Sequence, residues 1–247
     1  MLEFLEAIYA ADTTEQVWDT LTRKMDSYGF DRLFYAYTRF NLGAEHSDPA
    51  DSLLLSSHSE DYTRRYINER HFSNGPMLRW SLHHNGACSW SWLQELEKTD
   101  SLTEAERKVL SFNHSFGVIT GYTIGFKSDS ARCRAGLGLT ARLDLSQDEV
   151  DAIWAKSGRE ILVMCNMAHL KIISLPYCSK RRPLTKRQRE VLEWVGEGKT
   201  MQDIATIMNL TTATVEKHLR LARQALGVET TAQAVLKASY QDQIFVI

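Results

Sequence analysis

"NLTTATVEKHLRLARQALG" (Asn209–Gly227) decides how this chain is read. It opens on small polar residues, then sets Val215, Leu219, Ala222 and Leu226 on one narrow stripe at helical spacing. Ala213, Lys217, Arg220 and Gln224 fall on the opposite face, with Thr214, Glu216 and Arg223 on the flanks. Such a helix can be a solvated member of a bundle, or its outer face can be shaped for a groove in nucleic acid. The residues before it separate the two readings. Ala205 is small, Asn209 follows four residues later, and Val215 lies ten after Ala205. A helix-turn-helix needs a small residue where its helices touch, a residue tolerant of positive φ at the turn, and an aliphatic one on the inner face of the second helix. The spacing and the basic outer face together favour double-stranded DNA. The helix N-terminus can meet phosphates through free N–H groups, while Lys and Arg reach base edges.

Around this stretch the pattern stays helical. "TKRQREVLEWVGEG" is capped by Thr185 and closed by Gly196 or Gly198, and "TMQDIATIMN" is capped by Thr200. The third helix is capped by Thr211 or Thr212 and stopped by Gly227, and "TTAQAVLKASYQDQ" is a fourth. Ile204, Met208 and Leu210 supply more core, so four short helices form a small bundle. Before it, "ISLPYCSKRRPLT" (Ile173–Thr185) breaks periodicity with Pro176 and Pro183 and carries Lys180, Arg181 and Arg182. We therefore expect a domain over 1–172, a linker over 173–182 and a DNA-binding domain over 183–247. Residues 1–175 hold 18 Lys+Arg against 24 Asp+Glu, and residues 176–247 hold 11 against 7, a shift from acidic to basic that fits a polyanionic partner for the tail.

The first domain mixes element types. "TTEQVWDTLTRKMDSYGF" steps Val17, Leu21 and Met25 along one helical face. "DRLFYAYTRF" and "DSLLLSS" read as strands, and "SEDYTRRYINERHF" as a helix from Ser59. "LTEAERKVLSFNHSFG" opens on a capping box, Thr103 with Glu106. "VITGYTIGFK" and "RCRAGLGLTARL" form a hairpin across "SDSAR", and a long amphipathic helix starts at Ser146. Helices before, between and after antiparallel strands predict an α+β fold: an N-terminal α-β-α sandwich with a mainly antiparallel sheet, followed by the four-helix helix-turn-helix bundle. No apolar run is long enough to span a bilayer, the N-terminus lacks a basic start with an apolar stretch, and Cys88, Cys133, Cys165 and Cys178 show no C-x-x-C pair. These features predict a cytoplasmic protein with reduced thiols, no structural zinc and no membrane partner.

The stretch "LTKRQREVLEWVGEGKTMQDIATIMNLTTATVEKHLRLARQALGV" strongly resembles the helix-turn-helix domain of LuxR-type transcription regulators, which run L-T-x-R-E-x-E-V-L, G-K-T, E-I-A, T-V-x-x-H and K-L-G in that order. The resemblance places Leu192, Gly198 and Val215 on core and turn positions. It implies that Lys199, Thr200, Thr212 and Thr214 hold the DNA backbone, and that Glu216, Lys217 and Arg220 face bases; Arg223 on the flank is counted with them. Two departures stand out: Gln188 replaces the usual Glu, and Glu216 stands where Lys is frequent. Glu216 can accept from cytosine N4, or can pair with Arg220 at i,i+4. His218 falls towards the inner edge as a structural residue.

A phosphoacceptor receiver in front of this module is a poor fit, because "NLGAEH" after the first strand carries no acidic pair. "HSEDYTRRYINERHFSNGPM" and "CSWSW" resemble instead the acyl-homoserine-lactone-binding domain of the same regulators, an α-β-α sandwich with an apolar pocket. Tyr66, Pro76, Trp90 and Gly121 match its signature. The polar contacts do not follow: by resemblance a Trp becomes Tyr62, an Asp becomes Gly75, a Tyr becomes His58 and a hydroxyl residue becomes Gly138, with Asn74 a displaced substitute for the Asp. The expected lining is His58, Tyr62, Tyr66, Gly75, Met77, Trp90 and Gly138, while Trp80 and Trp92 are expected in the core. The resemblance implies a homodimer reading an inverted-repeat operator, a small-molecule signal, RNA polymerase as a further partner and no cofactor. The fourth helix (Ala234, Val235, Ala238) and the long helix ending near Ile173 are the expected dimer seams. A ligand-independent regulator, or an enzyme fused to a DNA-binding module, are the alternatives. His83, His84 and Cys88 raise a metal or nucleophile, but adjacent histidines on a helix diverge by about 100°. No phosphate loop or nucleophile elbow is present, so no enzyme activity is expected.

Overall fold

Alternation along the strands builds the first unit. In β1 (Phe30–Thr38), Leu33 and Tyr35 point to one face and Phe34 and Ala36 to the other. β2 (Ser52–Ser56), β3 (Gly86–Ser89), β4 (Gly121–Gly125) and β5 (Arg134–Ala141) complete a sheet of order β2-β1-β5-β4-β3, antiparallel at every pairing. This computed structural model describes residues 1–38, 52–128, 133–175, 184–241 and 243–245. Residues 129–132 of the expected hairpin turn, "NLGAEH", Cys178, Pro176, Pro183 and the Lys180–Arg182 run lie outside the described residues, as does most of the expected linker. The chain divides into two compact units, Met1–Leu175 and Pro176–Ile247.

On one sheet face Leu33, Tyr35, Ile124, Leu137 and Leu139 are buried under α1 (Leu2–Ala10), α2 (Thr14–Asp26) and α7 (Gln147–Ser174). Trp154 of α7 stacks on Tyr122 of β4 with centroids 4.0 Å apart. The other face is overlaid by α3 (Glu60–Asn68), α4 (Pro76–His83), α5 (Ser91–Lys98) and α6 (Glu104–Ser115), where Tyr62, Trp90, Phe112 and Val118 cluster. The α-β-α sandwich is therefore present, with the sheet covered on both sides. Gly121 has φ +156, and a Cβ there would sit 2.1 Å from the Leu139 carbonyl oxygen, so only glycine lets β4 lie this close to β5.

The helix expected to run from Ser59 to beyond Arg70 stops at Asn68. Arg70 turns left-handed (φ 58), a 3-10 turn covers His71–Asn74, and Gly75 is extended before Pro76, the first residue of α4. Proline disfavours helical backbone in the residue before it and is well placed at the first helical position, so the chain breaks here and restarts.

In the second unit, α8 (Lys186–Gly196), α9 (Met201–Met208), α10 (Thr212–Leu226) and α11 (Thr231–Tyr240) start from Thr185, Thr200, Thr211 and Thr230, each accepting from the N3 amide. Gln188, the departure from the family's Glu, closes a capping box: its Oε1 accepts from the Thr185 amide at 2.8 Å. Asn209 takes the left-handed conformation (φ 53, ψ 51) between α9 and α10, and Gly227 takes it (φ 63, ψ 46) after α10. Val215, Leu219, Ala222 and Leu226 are all buried with Val191, Leu192 and Ile204; each large aliphatic side chain so buried contributes roughly 1.5–3 kcal/mol. One expectation fails. Ala234 and Ala238, offered as a dimer seam, are fully buried within their own unit because α11 packs on α8 and α10 with that face.

Candidate functional site

Between the sheet and the α3–α6 layer lies a cavity of ≈ 320 Å³. All seven residues expected as lining (His58, Tyr62, Tyr66, Gly75, Met77, Trp90 and Gly138) border it. The four-residue step from His58 to Tyr62 to Tyr66 stacks their rings at 4.5 Å and 5.3 Å, forming one wall. Phe34 meets Tyr66 edge-on at 5.2 Å. The floor is the other face of the sheet, where register brings Thr123 opposite Gly138 and leaves small residues in a row. A Cβ added at Gly138 would meet nothing closer than the Phe34 carbonyl oxygen at 3.8 Å, so the space above it is open. One added at Gly75 would lie 3.3 Å from the Tyr66 hydroxyl.

The polar groups of the cavity divide into used and unused. Tyr62 donates its hydroxyl hydrogen to Asn113 Oδ1 at 3.1 Å, and Trp90 Nε1–H donates to Thr123 Oγ1 at 2.9 Å. The Tyr66 hydroxyl and the His58 ring nitrogens have no hydrogen-bond partner among the described residues. Burial first, and the nearby Arg32 charge second, lower the His58 pKa from 6.5 to about 3, so its imidazole is neutral. Burial pushes Tyr66 up to about 12. Arg32 itself is held elsewhere: it donates to the carbonyls of Phe116, Gly117 and Ala141 at 3.3, 3.2 and 2.7 Å, and its Nε pairs with Asp31 Oδ1 at 3.0 Å.

Sequence reasoning missed Phe34, Asn113, Thr123 and Thr140, which also line the cavity. Strand alternation was the available signal for three of them; Asn113 sits in a mostly polar amphipathic helix, where nothing local marks it. Two expectations are corrected. Asn74, the substitute for the absent Asp, is exposed and outside the lining, because the 3-10 turn aims it away. Trp80 and Trp92 are half-buried rather than core; Trp80 stacks on His84 at 5.0 Å, and the buried tryptophans are Trp18 and Trp90. His83 and His84 are exposed, and among the described residues no group of three His, Cys, Asp or Glu could hold a metal. Among the described residues, no helix is long and apolar enough to cross a membrane.

In the second unit the outer face of α10 is open. Lys199, Thr200, Thr212, Lys217 and Arg220 are exposed, and Thr214, Glu216 and Arg223 half-buried. Thr200 Oγ1 is tied to Asp203 Oδ2 at 2.6 Å and Thr214 Oγ1 lies 2.9 Å from Thr211 Oγ1, so both hydroxyls hold helix starts. The expected Glu216–Arg220 pair does not form. Glu216 Oε1 instead accepts from Arg223 Nη2 at 2.9 Å, two turns along the helix, leaving Lys217 and Arg220 without an ion pair among the described residues.

Comparison with known proteins follows the same division. Residues 13–172 match the autoinducer binding domain family, and residues 182–238 match the bacterial regulatory proteins of the luxR family. The chain is 26% identical over 225 residues to the transcriptional activator protein ExpR of Dickeya dadantii, covering 87% of this chain and 85% of that one. It is 27% identical over 207 residues to the quorum sensing-dependent transcriptional regulator RpaR of Rhodopseudomonas palustris, covering 83% and 80%. The crystal structure of Escherichia coli SdiA shares the fold with a TM-score of 0.56 at 15% identity, over 99% of this chain and 97% of that one. With an autoinducer-binding fold over most of its length and a helix-turn-helix after it, the chain belongs to the LuxR-type DNA-binding transcription regulators.

Proposed function

We propose that this regulator works in the cytoplasm as a homodimer, inserts α10 of each copy into the major groove of an inverted repeat, and is controlled by a neutral, largely apolar small molecule seated in the cavity. The observation that carries the ligand reading is the cavity itself. It is of ligand size, walled by the His58–Tyr62–Tyr66 ladder, with an open floor at Gly138 and a Tyr66 hydroxyl that has no hydrogen-bond partner among the described residues. On the DNA side, Lys199, Thr200, Thr212 and Thr214 approach phosphates, while Glu216, Lys217 and Arg220 face bases and Arg223 supports them. Half-sites about one helical turn apart suit two such helices. Val163, Met167 and Leu170 form an exposed apolar stripe on α7 at helical spacing, which fits a self-pairing seam. RNA polymerase is the further partner once DNA is bound.

The polar groups of the cavity pair as Tyr62–Asn113 and Trp90–Thr123 rather than as nucleophile and base, which favours binding over turnover. An ordinary acyl-homoserine lactone would set its amide N–H towards Gly75, which offers no acceptor side chain. Leaving that group unsatisfied costs about 1–3 kcal/mol, a tenfold loss of affinity or more. We therefore favour a different ligand class. The two internal bonds also support a second reading, a regulator that needs no ligand. Mass spectrometry of small molecules released from protein purified from its native cells separates the readings. A bound non-lactone compound supports the first, an empty cavity the second, and a bound acyl-homoserine lactone overturns the ligand assignment.

A further inference from the structure

Glu216 stands on the flank of α10, one turn beyond its Thr211 cap, with 47% of its side chain exposed. Its Oε1 is held by Arg223 Nη2 at 2.9 Å. Arg223 is only 21% exposed, and its Nη1 donates to Thr231 Oγ1 at 2.8 Å at the start of α11. The guanidinium is thus gripped from behind and in turn fixes the carboxylate. Glu216's second oxygen has no partner among the described residues. Next to it, Lys217 and Arg220 are exposed cations. The outer face of α10 therefore sets exposed cations beside one immobilised carboxylate.

A bare carboxylate on this face would repel a polyanion. Arg223 offsets its charge while occupying one oxygen, so the other can approach an uncharged donor. The donors that the major groove displays are the amino groups of cytosine and adenine. Adenine's amino group lies beside N7, an acceptor that repels a carboxylate, whereas cytosine's has only C5–H beside it. We propose that Glu216, positioned by Arg223, reads the amino group of one cytosine in each half-site; this rests on α10 being the helix that enters the groove.

The test selects duplexes from a random pool with the full-length protein and repeats the selection with variants. The expected wild-type motif contains a C·G pair preferred by about fivefold to 100-fold. Glu216→Ala should bring that preference close to unity and spare the other columns. Glu216→Gln should move the same column towards adenine, because an amide can bond N6 and N7 together. Arg223→Met should blur that column selectively and Arg223→Lys should restore part of it, with circular dichroism confirming that each variant is folded. If Arg223→Met weakens all columns evenly, or if Glu216→Ala leaves every column unchanged, the proposal is wrong while the groove-reading of α10 stands. A wild-type protein that selects no sequence overturns both.

Discussion

The Tyr35 hydroxyl and His169 Nδ1 lie 2.9 Å apart, both buried where β1 meets α7, with the Phe126 ring stacked on the imidazole at 4.2 Å. Burial lowers His169 from 6.5 to about 4, and His58 is lowered to about 3. Both folded values lie below the unfolded one, so the unfolded chain binds protons that the native one refuses. Their contribution to stability is whole above about pH 6.5 and is lost as pH falls towards 4 and then 3. Denaturant unfolding should show stability dropping across this window, with up to about 1.4 kcal/mol per pH unit from each histidine. His169→Phe should flatten the curve by its share. Parallel curves for variant and wild type would refute the assignment.

Asn209 is a second point of leverage. Its left-handed backbone makes the turn between α9 and α10. Asn209→Gly should leave stability unchanged or raise it by up to about 1 kcal/mol, while Asn209→Val should lower it by about 1–2 kcal/mol. Thermal melts of the full chain decide; equal melting for both variants would mean the turn does not need that conformation.

Arg220 is exposed in α10 and has no ion pair among the described residues. If it contacts a base with both arms of its guanidinium, Arg220→Ala should weaken specific DNA binding by about 1–3 kcal/mol and leave random DNA nearly unaffected. Titrations against both kinds of duplex check this. Equal losses would place Arg220 on a phosphate.

Gly138 offers a way to close the cavity without touching the core, since a side chain there enters open space. Valine suits a strand, so Gly138→Val should stay folded, within about 1 kcal/mol of wild type. Uptake of an apolar fluorescent dye should fall about tenfold or more. Undiminished uptake would mean the dye, and by extension a signal, binds elsewhere.

Much of this was legible in the residues. The threonine caps of the first three tail helices, the Val215–Leu226 stripe and Asn209 each announce themselves through a local rule, so the helix-turn-helix could be drawn from the residues alone, whereas Thr230 as the cap of α11 could not. Elements with weak local signals could not. β3 is "GACS" at a sheet edge, α1 buries only Phe4 and Ile8, and α4 signals itself by Pro76 alone. The α3 ladder of the cavity came from family resemblance, yet its floor depends on the β4–β5 register that sets Thr123 opposite Gly138, a relation between distant segments. Glu216 was matched with the nearer Arg220, whereas Thr231 at the start of α11 draws Arg223 into the pairing instead.

The amide that Gln188 brings to the first turn of α8 has no proton to gain in mild acid, and Gln233 does the same service for α11. The matching group on α9 is Asp203, a carboxylate whose bonds to Thr200 keep its pKa below the usual range. Only strong acid, below the ordinary aspartate range, therefore takes this clamp away, and it does so unevenly: α9 begins to fray at its start while α8 and α11 keep their boxes. Across the mild acid that a cell can reach, the supporting helix keeps its clamp.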